Sequence, residues 1–144
     1  MTNQPTAVQS WGPLILRLGV GVTFLMNGYP KLFPSGPAGF AGLLRNLAFP
    51  APEFLAWIVG IVEFVGGIAM ILGVFVRYVG VLVAIEMLVT SVRVKMAGGV
   101  PFISPKGTGW ELDFLLFMGA LALVFLGAGA LSLDVLKPGR SRSA

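Results

Sequence analysis

The chain has 144 residues and a mass of 15.2 kDa, with 56% hydrophobic and 11% charged residues and a mean hydropathy of +0.91. A soluble domain carries about a quarter charged residues, and a chain this small cannot cover so much apolar surface with so few polar groups. The composition is that of an integral membrane protein. Cys and His are absent, which excludes disulfides, thiol nucleophiles, Cys/His zinc, thiolate iron–sulfur clusters and His-ligated haem. The net charge of +4 comes without a basic surface interleaved with aromatics, which excludes nucleic acid as a partner. The basic residues read instead as orientation signals and contacts to membrane lipid headgroups.

Residues 1–11 form a polar N-terminal segment without the basic start of a cleavable leader. A first span is predicted over 12–33, opened by Pro13 and closed by Tyr29, Pro30 and Pro34. Phe40, Leu43, Leu44 and Leu47 then recur at i, i+3, i+4, i+7, which predicts a short amphipathic helix lying in the interface. Spans two and three follow at 53–76 and 77–95, joined too tightly for anything but an antiparallel hairpin. Pro101, Pro105 and several glycines make the loop 98–109 irregular. A fourth span covers 110–133, and 136–144 is a basic tail. The expected fold is therefore all-α, a membrane-spanning four-helix bundle over residues 12–135 with one interfacial helix between spans one and two.

With four spans both termini share a side. That side carries Arg77, Lys137, Arg140 and Arg142, against Lys31, Arg45, Arg93, Lys95 and Lys106 opposite. The reading places both termini in the cytoplasm, because the tail and the Arg77 turn are where charge has no evident second task.

An ionised side chain at bilayer depth is costly and is expected to face the bundle interior, paired. Arg17, Glu63 and Glu86 are such residues. Depth counting puts both carboxylates about nine residues, or ~13 Å, from the same side, with Arg17 near enough to reach one. The expected pair is Arg17 with Glu63, leaving Glu86 without a cation and so the candidate ligand or proton site. Arg17, Gly21, Phe24, Gly28 and Lys31 share a stripe on the first helix, and Gly60, Glu63 and Gly67 share one on the second. On the third, Glu86, Thr90 and Arg93 align. A second polar cluster, Asn27, Lys31, Arg93, Glu111 and Asp113, is expected at the outer end of the bundle, although Glu111 and Asp113 point about 200° apart on a helix.

The order of several motifs is similar to that of the DoxX family of small bacterial membrane proteins. The motifs are Leu16-Arg17-Leu18-Gly19, Asn27-Gly28-Tyr29-Pro30-Lys31-Leu32-Phe33, Phe49-Pro50-Ala51-Pro52, Val62-Glu63-Phe64-Val65-Gly66-Gly67, Leu72-Gly73 with Arg77 after it, Gly109-Trp110-Glu111, and the closing run 127–134. The resemblance implies a four-helix membrane protein of the bacterial cytoplasmic membrane, related to small subunits of quinone-linked oxidoreductases such as the thiosulfate:quinone type. It carries Arg17, Lys31, Glu63, Arg77 and Glu111 over as the matching polar residues. Asn27 stands where many members have His, and an amide hydrogen-bonds without shuttling a proton at neutral pH.

Three functions are open from the sequence. The first is an accessory or quinone-adjacent subunit of a membrane redox assembly, docked on other membrane subunits or redox proteins. The second is a subunit that binds quinone directly, with Arg17, Lys31 and Arg93 as contacts and Glu63 or Glu86 handling protons. The third is a small proton-coupled transporter using Glu86 or Glu63. No cofactor can be held through His or Cys, which leaves quinone or lipid as the candidate ligands and no metal. The first reading is preferred, because the chain cannot hold an electron carrier of its own.

Overall fold

A computed structural model of the chain describes residues 7–34 and 36–134. These residues are all-helical: α1 (Ala7–Leu32), α2 (Gly36–Asn46), α3 (Pro52–Leu72), α4 (Val76–Val89), which runs on as a π-helical segment (Thr90–Met96), and α5 (Glu111–Leu126). Residues 1–6 and the basic tail 136–144 lie outside the described residues, and Ala7 to Trp11, expected to be a polar lead-in, already belong to α1. Pro13 is therefore inside the helix rather than at its start. A proline there removes one backbone hydrogen bond and loosens the preceding turn. The Ser10 carbonyl of that turn accepts a bond from the Ala130 N–H at 2.9 Å.

Among the described residues α3 is the one helix long and apolar enough, by length and composition, to cross a membrane. Its 21 residues make about 32 Å against a hydrocarbon core of about 30 Å. It begins with Pro52 in the first turn, where no N–H is needed, and ends at Gly73, whose φ of 71° only glycine adopts without strain. The Val74 N–H donates to Ala69 O at 2.8 Å and the Gly73 N–H to Met70 O at 3.1 Å, a closing motif that satisfies two orphan carbonyls and turns the chain directly into α4.

α1 lies antiparallel along α3, its largest contact, and α4 along α5. Small residues set the first pairing. A Cβ on Gly67 would stand 2.5 Å from Leu25 N and 2.8 Å from Gly21 O, and one on Gly28 would stand 2.8 Å from the carbonyl carbon of Glu63. Only hydrogen fits at such contacts, so the backbones meet and their register is fixed. The central core is Val20, Phe24, Met70, Val83, Ala120 and Leu123 with their neighbours, and a satellite of Ala41, Leu44 and Ala56 seats α2 on α3. The outer surface is apolar as well: Ile15, Met26, Tyr78, Leu115 and Phe125 are all exposed. A molecule with oil on both sides of its helices is matched to lipid rather than to water.

The fourth helix is shorter than the sequence suggests. Expected to reach residue 133, it ends at Leu126, because Gly127 (φ 80°), Gly129 (φ 70°) and Leu131 (φ 49°) take left-handed backbone. Residues 127–134 instead cross the end of the bundle as a strap. The Leu133 N–H donates to Leu72 O at 3.2 Å and the Asp134 N–H to Gly73 O at 3.1 Å.

Candidate functional site

The α1–α3 register determines what stands beside Glu63. With Gly28 pressed on Glu63 and Phe64, the residue one turn further along α1, Lys31, lies alongside the carboxylate. Its ammonium donates to both Glu63 oxygens at 2.5 Å and sits 4.7 Å above the Phe40 ring of α2. The Glu63 side chain is 5% exposed and that of Lys31 23%, so the pair is nearly out of solvent and held in one geometry. Glu86 of α4 lies within hydrogen-bonding and Coulombic reach of Glu63, and within Coulombic reach of Lys31. Two acids thus share one ammonium.

A second pair faces the first across the same space. The π-helical segment brings in Lys95, whose ammonium donates to Asp113 Oδ1 at 2.9 Å and to the Gly109 carbonyl at 2.7 Å. Asp113 is buried, and its Oδ2 has no hydrogen-bond partner. Between the two pairs is a cavity of about 240 Å³. Buried Phe24, Met87 and Leu116 form its inner wall, while exposed Leu43, Thr108 and Leu112 mark its rim beside α2 and the 97–110 loop. Asn27 and Thr90 also line it. The charged lining comprises three carboxyls and two ammoniums in a low-dielectric wall, where polar contacts to a ligand are stronger than in water.

Arg17 is not part of this group, and the expected Arg17–Glu63 pair does not form. Arg17 is 1% exposed at the opposite end of the bundle, where its Nη2 donates to Ala130 O at 2.9 Å and Leu131 O at 2.7 Å. Asp134 adds a charge attraction. The guanidinium packs against Gly73 so closely that a Cβ there would strike Nη1. It binds the strap to the α3–α4 turn through Nη2, while its Nε and Nη1 have no hydrogen-bond partner among the described residues. Arg77, exposed beside Gly127, is at this end too.

Of the second expected cluster, Asn27, Lys31 and Asp113 line the cavity. The exposed Asn27 donates its amide N–H to Thr23 O at 2.7 Å. Arg93 and Glu111 do not line it. Arg93 is exposed, its guanidinium 5.4 Å over the Phe49 ring. Glu111 is half-buried, with its N–H bonded to Phe102 O at 3.1 Å and its Oε2 without a partner. Lys95 is the residue that sequence reasoning missed. Arg93 was expected because it follows Glu86 and Thr90 at α-helical spacing, but bonding from i to i+5 over Thr90–Met96 changes the phase, and Lys95 faces inward instead. Among the described residues no group of three His, Cys, Asp or Glu is placed to hold a metal.

A model of the DoxX family matches residues 12–96. The chain belongs to the DoxX family. Its relatives include the Bacillus subtilis protein "Putative oxidoreductase CatD", 29% identical over 85% of this chain and 84% of that one. An uncharacterized protein of Haemophilus influenzae is 33% identical, covering 83% and 85% of the two chains. A protein of Mycobacterium tuberculosis described as an uncharacterized membrane protein is 30% identical, covering 90% and 85%. No solved structure matches. The DoxX match runs from Gly12, within α1, to the end of the π-helical segment, and so takes in four of the five charged cavity residues: Lys31, Glu63, Glu86 and Lys95. Membership and the relative's description agree with a membrane location.

Proposed function

We propose that this DoxX protein is a four-span protein of the bacterial cytoplasmic membrane that serves a membrane redox assembly as an accessory subunit, with the cavity receiving a quinone headgroup. The observation that carries the reading is the pairing of Lys31–Glu63 with Lys95–Asp113 around a 240 Å³ space that also contains Glu86. Buried charges are costly in an apolar bundle, and here they surround volume rather than fill it. That volume is small for a drug-sized ligand and suits one flat ring with polar atoms at its edge.

The residues fit such a group. Lys31 and Lys95 each have one ammonium N–H beyond the two bonds they make, Thr90 adds a hydroxyl, and Phe24 and Leu116 give the ring an apolar wall. A quinone would supply two-electron chemistry that no side chain here offers. The chain's own part is to bind the ring, exclude water from one face of it, and hold a proton at Glu86. Electrons would come from partner subunits, which suits an accessory role and the description of the B. subtilis relative. Four spans are supported by the 26 residues of α1, the continuous α4 and π-helical run, and the apolar α5, all clad in exposed apolar side chains.

The test is equilibrium binding of a short-chain benzoquinone to the purified protein in nanodiscs. Micromolar binding that Lys31→Ala weakens tenfold or more supports the reading, and no saturable binding overturns it. Topology is accessible separately because the chain has no native Cys. Single cysteines at Ser104 and Ser141 should be labelled from opposite sides of the membrane, with Ser141 cytoplasmic.

A further inference from the structure

The hydrogen-bonding capacity around the cavity is unbalanced. Lys31 commits two N–H groups to Glu63, and Lys95 commits two to Asp113 and Gly109. An ammonium has three donors and a carboxylate about four acceptor positions, so two ammoniums and the one proton held at Glu86 cannot saturate Glu63, Asp113 and the carbonyl oxygen of Glu86. The deficit is located on particular atoms. Asp113 is 5% exposed, lines the cavity, and has an Oδ2 with no partner. Glu86, half-buried on the cavity wall and in hydrogen-bonding reach of Glu63, forms no salt bridge among the described residues. A buried acceptor left unmatched, as Asp113 Oδ2 is, is costly, and a ligand that brings donors relieves that cost.

From this we infer that the cavity is selective for the reduced form of its ligand: it binds a hydroquinone, whose two hydroxyls donate to Asp113 Oδ2 and the Glu86 carboxyl, in preference to the quinone, whose two carbonyls can only accept. The inference rests on the quinone reading above and adds to it the redox state that is held and two residues that select it. A site that accepts donors raises the midpoint potential of what it binds, because the reduced state is the one stabilised. Bound ligand is then harder to oxidise than free ligand, so the cavity acts as a holding site for the reduced form.

The experiment compares binding of a short-chain benzoquinone and its dithionite-reduced hydroquinone to the same nanodisc preparation, with a redox titration of the bound ligand. The expected result is at least tenfold tighter binding of the hydroquinone, which for a two-electron couple is a rise of about 30 mV in midpoint potential. Asp113→Asn, which replaces the free oxygen with an amide able to donate, should bring the ratio to unity or below. Because that change also touches the Lys95 pair, Glu86→Gln provides a second variant with no salt bridge to lose, and it should reduce the ratio as well. Equal binding of the two forms, or tighter binding of the quinone, overturns the inference and leaves the quinone reading intact. A wild-type preparation that binds neither form overturns both.

Discussion

The two ends of this bundle each bury charge, and they do so in opposite ways. At one end the Arg17 guanidinium is closed in by the carbonyls of Ala130 and Leu131, the α-carbon of Gly73 and the strap. At the other, two ion pairs and Glu86 stand around a cavity. Both ends bury polar atoms without a partner among the described residues, Nε and Nη1 of Arg17 at one and Oδ2 of Asp113 at the other, so burial and charge do not distinguish a fastening from a site. A cavity beside the charge does. Asp113 lines the 240 Å³ space, whereas Arg17 does not and bonds to the backbone carbonyls of the strap.

The largest effect that tests this contrast is expected from Arg17→Leu. It removes two hydrogen bonds from a charged donor to buried carbonyls, each worth about 1.5–3 kcal/mol, and should destabilise the fold by about 3 kcal/mol. A large drop in the thermal unfolding midpoint in detergent, with early proteolysis after residue 126, is the expected readout. The surviving folded fraction should keep its cavity affinity. An affinity loss as steep as the stability loss would join the two ends and remove the distinction.

Next in size is the Lys31–Glu63 pair. Breaking a fully buried pair costs about 3–5 kcal/mol, and Lys31 retains some exposure, so Glu63→Gln should cost about 2 kcal/mol. A double-mutant cycle with Lys31→Met should show a coupling of about 1–3 kcal/mol, while the same cycle run between Glu63 and Arg17 should show none. Coupling to Arg17 would restore the pairing that depth counting suggested.

Depth counting misplaces that pairing for a physical reason. Which residues are buried and charged was legible, and so was the level shared by Glu63 and Glu86, because hydropathy and helical rise are local properties. Which cation meets which anion depends on the register between α1 and α3, and counting from assumed membrane edges fixes that poorly when α1 begins at Ala7 rather than near residue 12. The glycine stripes do not supply the register either. Gly21 and Gly28 on α1 and Gly60 and Gly67 on α3 are both seven residues apart, but matching them glycine to glycine would set Gly28 on Gly60, whereas in the structure Leu32 meets Gly60 and Gly28 meets Glu63 and Phe64. That offset of about one turn is what brings Lys31 to Glu63. The shortened α5 had a visible cause, since the Gly127 and Gly129 pair breaks an otherwise apolar run. The π-helical turn had no comparable signal in Thr90–Met96.

Glu86→Gln is expected to have little effect on stability, within about 1 kcal/mol, because the change is isosteric and breaks no salt bridge. Its effect belongs to binding: a tenfold loss of ligand affinity, or about 1.4 kcal/mol. A variant that melts like Arg17→Leu but binds normally would make Glu86 a fastening and leave the cavity without a reactive group.

The smallest effect tests the π-helical phase. Arg93 and Lys95 are two residues apart, and an unbroken α-helix would send Arg93 to the Glu86 face and Lys95 away from it. In the structure Arg93 lies over Phe49 from an exposed position, a cation–π contact worth about 0.5–1 kcal/mol, so Arg93→Ala should cost no more than that and leave ligand affinity unchanged. Lys95→Ala should cost more, because it strands Asp113 and releases the Gly109 carbonyl, and by freeing a further acceptor it should shift binding toward the hydroquinone, opposite to Asp113→Asn. The comparison is read within one pair of variants on one segment, so differences in expression or detergent cancel. If Arg93→Ala proves the more damaging, the helix runs on as α past Val89, Arg93 takes the place beside Glu86, and the second ion pair of the cavity has to be rebuilt around it.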